Sequence, residues 1–161
     1  MFFLGIRDLV RLMLSLAGPI ELVQGVSWPL HQALREAADE AVTRGVRGFP
    51  HVEFRPDPDA GRRADDADAA VQELRWNHVL LPTGSGMAAR LVSEQFSDPA
   101  VRRTLLRLPP ETADIVYRAA RRWAALAATS SKNWATESAS SGATVASAMP
   151  ALRHVSTSAL R

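Results

Sequence analysis

The sequence predicts a mainly α fold: short helices joined by proline and glycine turns, with little or no sheet and with extended N- and C-terminal segments. Three observations carry that expectation. Apolar residues recur at helical spacing through most of the 161-residue chain. Proline and glycine punctuate those stretches. Only residues 49–55, FPHVEFR, alternate as a strand does, and one isolated strand makes no sheet, so this segment is expected to run extended along a helix or a partner. Three units follow: an amphipathic helix over residues 1–18, a helical domain over 19–134, and an alanine-, serine- and threonine-rich extended tail over 135–161.

The first helix is expected over residues 2–17, where Phe2, Phe3, Ile6, Leu9, Val10, Met13 and Leu16 share one face and Arg7, Asp8, Arg11 and Ser15 the other. It is too short and too charged to cross a membrane, for which about 20 mostly apolar residues are needed. Packing on its own domain is the first expectation for this helix, and docking on a membrane surface the second. An arginine- and serine-bearing amphipathic N-terminus also suits an organelle transit peptide, against which stands Asp8.

Gly18 and Pro19 end that helix. Ser27 is the expected N-cap of the next, with Pro29 in its first turn, Leu30, Leu34, Ala37, Ala41 and Val42 as its buried stripe, and Gly45 as its stop. His31, near its start, is expected to pack half-exposed. Residues 56–69 form a polar linker leading into a helix whose first turn carries Asp65, Asp66 and Asp68, favourable near a helix N-terminus, and which continues to Leu81. A further short helix is expected over residues 87–96. The last stretch, beyond Trp134, has few large apolar groups with which to offset its ordering entropy.

Several chemistries are excluded by missing residue types. With no cysteine there is no disulfide, thiolate zinc site or thiol nucleophile. His51, Val52 and Glu53 imitate the H-x-E of zinc deaminases without the cysteines that complete it. The acidic run at residues 65–68 lacks the glycine and terminal glutamate of an EF-hand loop. Residues 82–86, PTGSG, read like the start of a phosphate-binding loop, but Met87 and Ala88 stand where lysine and a hydroxyl would be required. The expectation is a non-catalytic chain with no cofactor, no metal site and no transmembrane helix.

What remains distinctive is arginine. Eighteen arginines accompany a single lysine, Lys132, although the net charge is only +2. Arginine suits planar, bidentate contacts to carboxylates and phosphates. Six of the eighteen lie in SDPAVRRTLLRLPPETADIVYRAARRWAALAATSSKNW, residues 97–134. Ser97 or Asp98 caps a helix with Pro99 in its first turn, placing Val101, Leu105 and Leu108 inward and Arg102, Arg103 and Arg107 outward. Pro109 and Pro110 break it. A second helix starts at Glu111 and runs to about Ala128, with Ala113, Val116, Ala120, Trp123 and Ala127 on one face and Asp114, Arg118, Arg121 and Arg122 on the other. Beyond the Asp114–Arg118 spacing, the arginines lack obvious local acids and are expected to meet water or a partner.

These residues carry a resemblance. The turn at Arg107, Leu108, Pro109 and Glu111, then Tyr117, Arg118, Arg121 and Arg122, then Lys132 and Trp134, resembles the pattern of subunit 7 of the mitochondrial ubiquinol–cytochrome c reductase (complex III) family. This sequence adds Pro110 within the turn and has Ser130 and Ser131 where that family has leucine-proline. The resemblance implies a non-catalytic helical subunit on the matrix side of the inner membrane, whose arginine face meets acidic neighbouring subunits or the phosphates of anionic lipid. Arg102, Arg103, Arg107, Arg118, Arg121, Arg122 and Trp134 are then the expected partner-binding residues.

A competing reading is a nucleic-acid-binding protein of the bacterial cytoplasm. The leucine-proline-proline helix is similar to the start of a sigma-factor-like helix-turn-helix, with SSGATVAS, residues 140–147, resembling the beginning of a recognition helix. That second element has no basic residue before Pro150. The expectation that survives is phosphate contact by the arginine face, weakening as salt rises.

Overall fold

A computed structural model of the protein describes residues 4–23, 25–84, 90–93 and 99–146. Five helices and five short strands follow in the order α1 (Ile6–Ala17), β1 (Ile20–Val23), α2 (Trp28–Thr43), β2 (Arg55–Asp57), β3 (Gly61–Arg63), α3 (Asp65–Trp76), β4 (Leu81–Thr83), β5 (Arg90–Ser93), α4 (Pro99–Arg107) and α5 (Pro110–Ala146).

Helix α1 lies at the centre. Leu9, Val10, Leu12, Met13 and Leu14 are all buried, a wider stripe than one amphipathic face, because α5, α3 and α4 each pack against it. Packing on its own domain is therefore the role this helix takes; Phe2 and Phe3 lie outside the described residues. Gly18, at φ 76°, ends it as expected.

The expectation of little or no sheet is overturned by two small antiparallel sheets. In the first, of order β1-β5-β4, Ile20 faces Ser93 and Val23 faces Arg90. Residues 90–93 thus belong to a strand, not to the helix expected over 87–96. A strand of this length has no local signature: RLVS becomes a strand only because β1, some seventy residues earlier, supplies the partner edge. The second sheet is the hairpin β2–β3, built where a polar linker was expected. Its turn is closed by Asp57, whose Oδ1 accepts the backbone N–H groups of Asp59 and Ala60 at 3.0 and 2.8 Å, and by Gly61 at φ 71°. Of the alternating segment at 49–55, residues 49–54 form no regular element and only Arg55 enters a strand.

Helix ends account for two further differences. Helix α2 stops at a Schellman motif: the N–H of Gly45 bonds the carbonyl of Val42, and that of Val46 the carbonyl of Ala41. Helix α3 stops by the same two bonds, His78 to Arg75 and Val79 to Leu74, its last residue Trp76 falling five short of the expected end at Leu81. His78, at φ 56°, holds the left-handed position that glycine holds in α2, so nothing in the residue type announces the end. Val42, expected in the buried stripe of α2, is exposed at the helix end.

The junction of α4 and α5 matches the expected break and explains its double proline. Pro109 sits just outside α5 and its carbonyl accepts the N–H of Ala113 at 2.9 Å; Pro110 is the first helical residue. Neither position uses a backbone N–H, so two residues that lack one are accommodated at no loss. Ile115, Val116, Ala119, Ala120, Trp123 and Ala127 form the buried face of α5. The helix then continues well past Ala128, for 37 residues in all, so the expectation of an extended C-terminal segment is corrected over 135–146. Extending an anchored helix costs little per residue, and alanine favours it most. Residues 147–161 lie outside the described residues.

Candidate interaction surface

Helices α2 and α5 run antiparallel, as their ion pairs establish: Glu36 meets Arg122, Glu40 meets Arg118, and Arg44 meets Asp114. The guanidinium of Arg122 holds Glu36 at two points, 2.9 and 3.2 Å, and this hydrogen bonding keeps the Glu36 carboxyl below the usual carboxylate range. The other four side chains close a ring. Arg118 contacts both Glu40 and Asp114, and Arg44 contacts the same two acids, each at 3.1 Å. Three acids answer three arginines, so this seam presents no net charge. Beneath it, Ala33, Ala37 and Ala119 are buried, small enough to let the two backbones approach until the ion pairs can span them.

The Asp114–Arg118 pair forms as its spacing predicts, and the expectation that Arg122 meets water or a partner for want of a local acid is corrected: Glu36 of α2 answers it from eighty-six positions earlier in the chain, as Glu40 answers Arg118 from seventy-eight, both beyond any local spacing rule. Arg121 lies over the ring of Tyr117, 5.8 Å from its centroid, a cation–π contact one helical turn long.

Helix α4 contrasts with this seam. Val101 and Leu108 are buried and Leu105 is half-buried, and they fasten the helix to α1. On the opposite side Arg102, Arg103, Leu106 and Arg107 are exposed, Leu106 at 80%. Among the described residues none of these three arginines has an ion-pair partner. The result is a compact cationic stripe with an apolar residue at its middle, carried on a helix held firmly from behind. Leu106 is the residue of this stripe that periodicity alone did not single out, since an isolated leucine on an arginine face draws no attention.

Trp134, the remaining expected partner residue, is half-buried and lines a separate cleft together with Trp28. His31, expected half-exposed, is only 1% exposed. Its Nδ1 accepts the backbone N–H of Ala64 at 3.2 Å, which leaves Nε2 to donate to Asp68 at 3.0 Å. Both nitrogens are engaged in one neutral tautomer, so the ring serves as a strut between α2 and the start of α3. Burial lowers its pKa below the ordinary value of 6.5, outweighing the nearby Asp68 carboxylate.

Among the described residues no three histidine, aspartate or glutamate side chains lie close enough to hold a metal ion. No helix among them is long and apolar enough to cross a membrane. Of the PTGSG segment, Pro82 and Thr83 belong to β4, and Ser85 and Gly86 lie outside the described residues. No family model, curated protein or solved structure matches this chain.

Proposed function

We propose that this chain is a non-catalytic component of a larger assembly, which it joins by laying the outer face of α4 against an acidic protein partner. The observation that carries the reading is the stripe of Arg102, Arg103 and Arg107 around exposed Leu106, unpaired among the described residues, beside a seam where Arg118 and Arg122 are fully answered by acids. Three like charges held within two helical turns favour a partner of opposite sign, and the leucine adds an apolar contact that can be desolvated at the centre of the interface. The resemblance of residues 107–134 to a matrix-side subunit of respiratory complex III supplies one assembly of this kind, in which acidic subunits would meet the same face.

The test is site-specific photo-crosslinking from position 106 in the full chain, in the source cell, beside an Arg102→Glu/Arg103→Glu/Arg107→Glu variant. A discrete protein adduct that disappears in the variant, with helicity and melting temperature retained, supports the reading. An unmodified chain in both cases overturns it.

A nucleic-acid partner is favoured by the same three arginines and by nothing else in the fold. Residues 140–146 continue α5 without a turn, so among the described residues no separate recognition helix follows the α4–α5 corner. Duplex DNA binding with a steep salt dependence, lost in the same triple variant, is the result that would replace protein by nucleic acid.

A further inference from the structure

The cleft that contains Trp134 is assembled from three distant parts of the chain: the residues entering α2, the β2–β3 turn, and the α5 segment from Ser130 to Glu137. Its volume of about 550 Å³ falls within the range of small-molecule sites. Two half-buried indoles, Trp28 and Trp134, line it, in a chain that has only four tryptophans.

The charged groups around those indoles are unbalanced. Asp57, Asp59 and Glu137 face Arg63, the sole cationic residue of the lining. Arg63 is itself engaged at the start of α3: its guanidinium bonds Asp68 and lies 3.7 Å from Asp65, neither of which lines the cleft, and 3.9 Å from Asp57, which does. Asp57 accepts two backbone N–H groups, and those bonds hold its carboxyl below the usual carboxylate range, so it is ionised at neutral pH. The carboxylates of Asp59 and Glu137 are exposed and make no ion pair among the described residues. The lining therefore combines aromatic surface with net negative charge.

That combination selects its ligand by chemistry. A hard divalent ion requires several oxygens converging within bonding distance, and no such set of three acidic or histidine side chains occurs among the described residues. Indole rings contribute nothing to a hard metal, whereas they attract an alkylated ammonium through the ring quadrupole, and dispersed carboxylates stabilise a charge spread over methyl groups. We propose that this cleft binds a small organic cation bearing a quaternary or alkylated ammonium group, seated between Trp28 and Trp134 and neutralised by Asp59 and Glu137.

Choline is the probe. Calorimetric titration of the full chain should show saturable binding, with tryptophan fluorescence changing along the same isotherm. The neutral isostere, in which carbon replaces the ammonium nitrogen, should bind at least about tenfold more weakly. Asp59→Asn and Glu137→Gln, both at exposed side chains, should each weaken choline by roughly two- to fivefold and leave the isostere unaffected. Trp134→Leu should weaken choline by roughly tenfold while keeping an apolar residue against the wall. Equal affinity for choline and its neutral isostere overturns the proposal, as does choline affinity indifferent to both carboxylate substitutions. Absence of saturable choline binding in the millimolar range overturns it as well.

Discussion

Helix α4 and the first half of α5 look alike in sequence: each is amphipathic, each buries a few apolar residues, and each turns three arginines outward. The fold treats them differently. On α5, Arg118 and Arg122 meet Glu40 and Glu36, while Arg121 rests on Tyr117. On α4, Arg102, Arg103 and Arg107 meet no acid among the described residues. The difference comes from the neighbour. Helix α2 runs beside α5 and carries glutamates at the matching four-residue interval, whereas α4 packs only its apolar side, against α1. An outward arginine on a helix is thus neither structural nor functional by type; the element beside it decides.

This contrast can be sharpened by substitutions that should divide cleanly between stability and binding. The largest effect belongs to the buried side of α5. Trp123→Ala should cost about 3–5 kcal/mol, measured by urea denaturation, because it removes the largest fully buried side chain. Next comes the seam itself: Ala119→Leu, at a buried position between α2 and α5, should cost about 1–3 kcal/mol by forcing the helices apart. An unchanged denaturation midpoint for this variant would show that the two helices are not closely packed.

The pH dependence should be smaller and have a definite sign. Burial lowers the folded-state pKa of His31 below 6.5, so the unfolded chain binds the extra proton more readily. The contribution of His31 to stability is complete above pH 6.5 and is lost as pH falls below it toward the folded-state pKa, with a slope of at most about 1.4 kcal/mol per pH unit for one proton. Denaturation midpoints on either side of pH 6.5 should show this, and His31→Asn should remove the slope. If stability is flat across that window, the neutral tautomer joining Ala64 and Asp68 is not what holds the ring.

A double-mutant cycle on Glu36 and Arg122 should give a small favourable coupling that declines as salt is added, since both side chains are nearly half exposed. The smallest effect on stability should come from α4: Arg102→Ala, Arg103→Ala and Arg107→Ala combined should leave the melting temperature unchanged while abolishing the crosslink from position 106. Loss of stability comparable to Ala119→Leu would mean that the α4 arginines have partners within the fold.

Much of the helical framework was legible because it rests on local rules. The buried face of α5 through Val116, Ala120, Trp123 and Ala127, the stop at Gly45 and the acidic first turn of α3 all follow from spacing and residue type. The sheets were not, because β1 and β5 are four residues each and are strands only by virtue of each other. The length of α5 was hidden for another reason: residues beyond 134 have few large apolar side chains, which argues against independent folding but not against continuation of a helix already anchored by Trp123. At the candidate surface the arginines themselves were visible, and their sorting was not. Glu36 and Glu40 announce a polar face of α2, but nothing local says that this face is turned toward α5. The role of Trp134 was likewise incomplete without Trp28 and the Asp57 turn, which only the folded chain brings beside it.

The corner at Pro109 and Pro110 has a thermodynamic meaning beyond ending one helix and beginning another. Proline fixes its own φ and restricts the residue before it, so Leu108, Pro109 and Pro110 form a short run with few alternative conformations. Leu108 is also buried, pinning the end of α4 to the core. The arginine stripe is therefore held in one geometry by the fold, and in the proposed association little backbone entropy would be surrendered. A small, rigid, cationic patch of this kind should bind with a low ordering cost and owe its selectivity to the partner's shape and charge rather than to a change in its own.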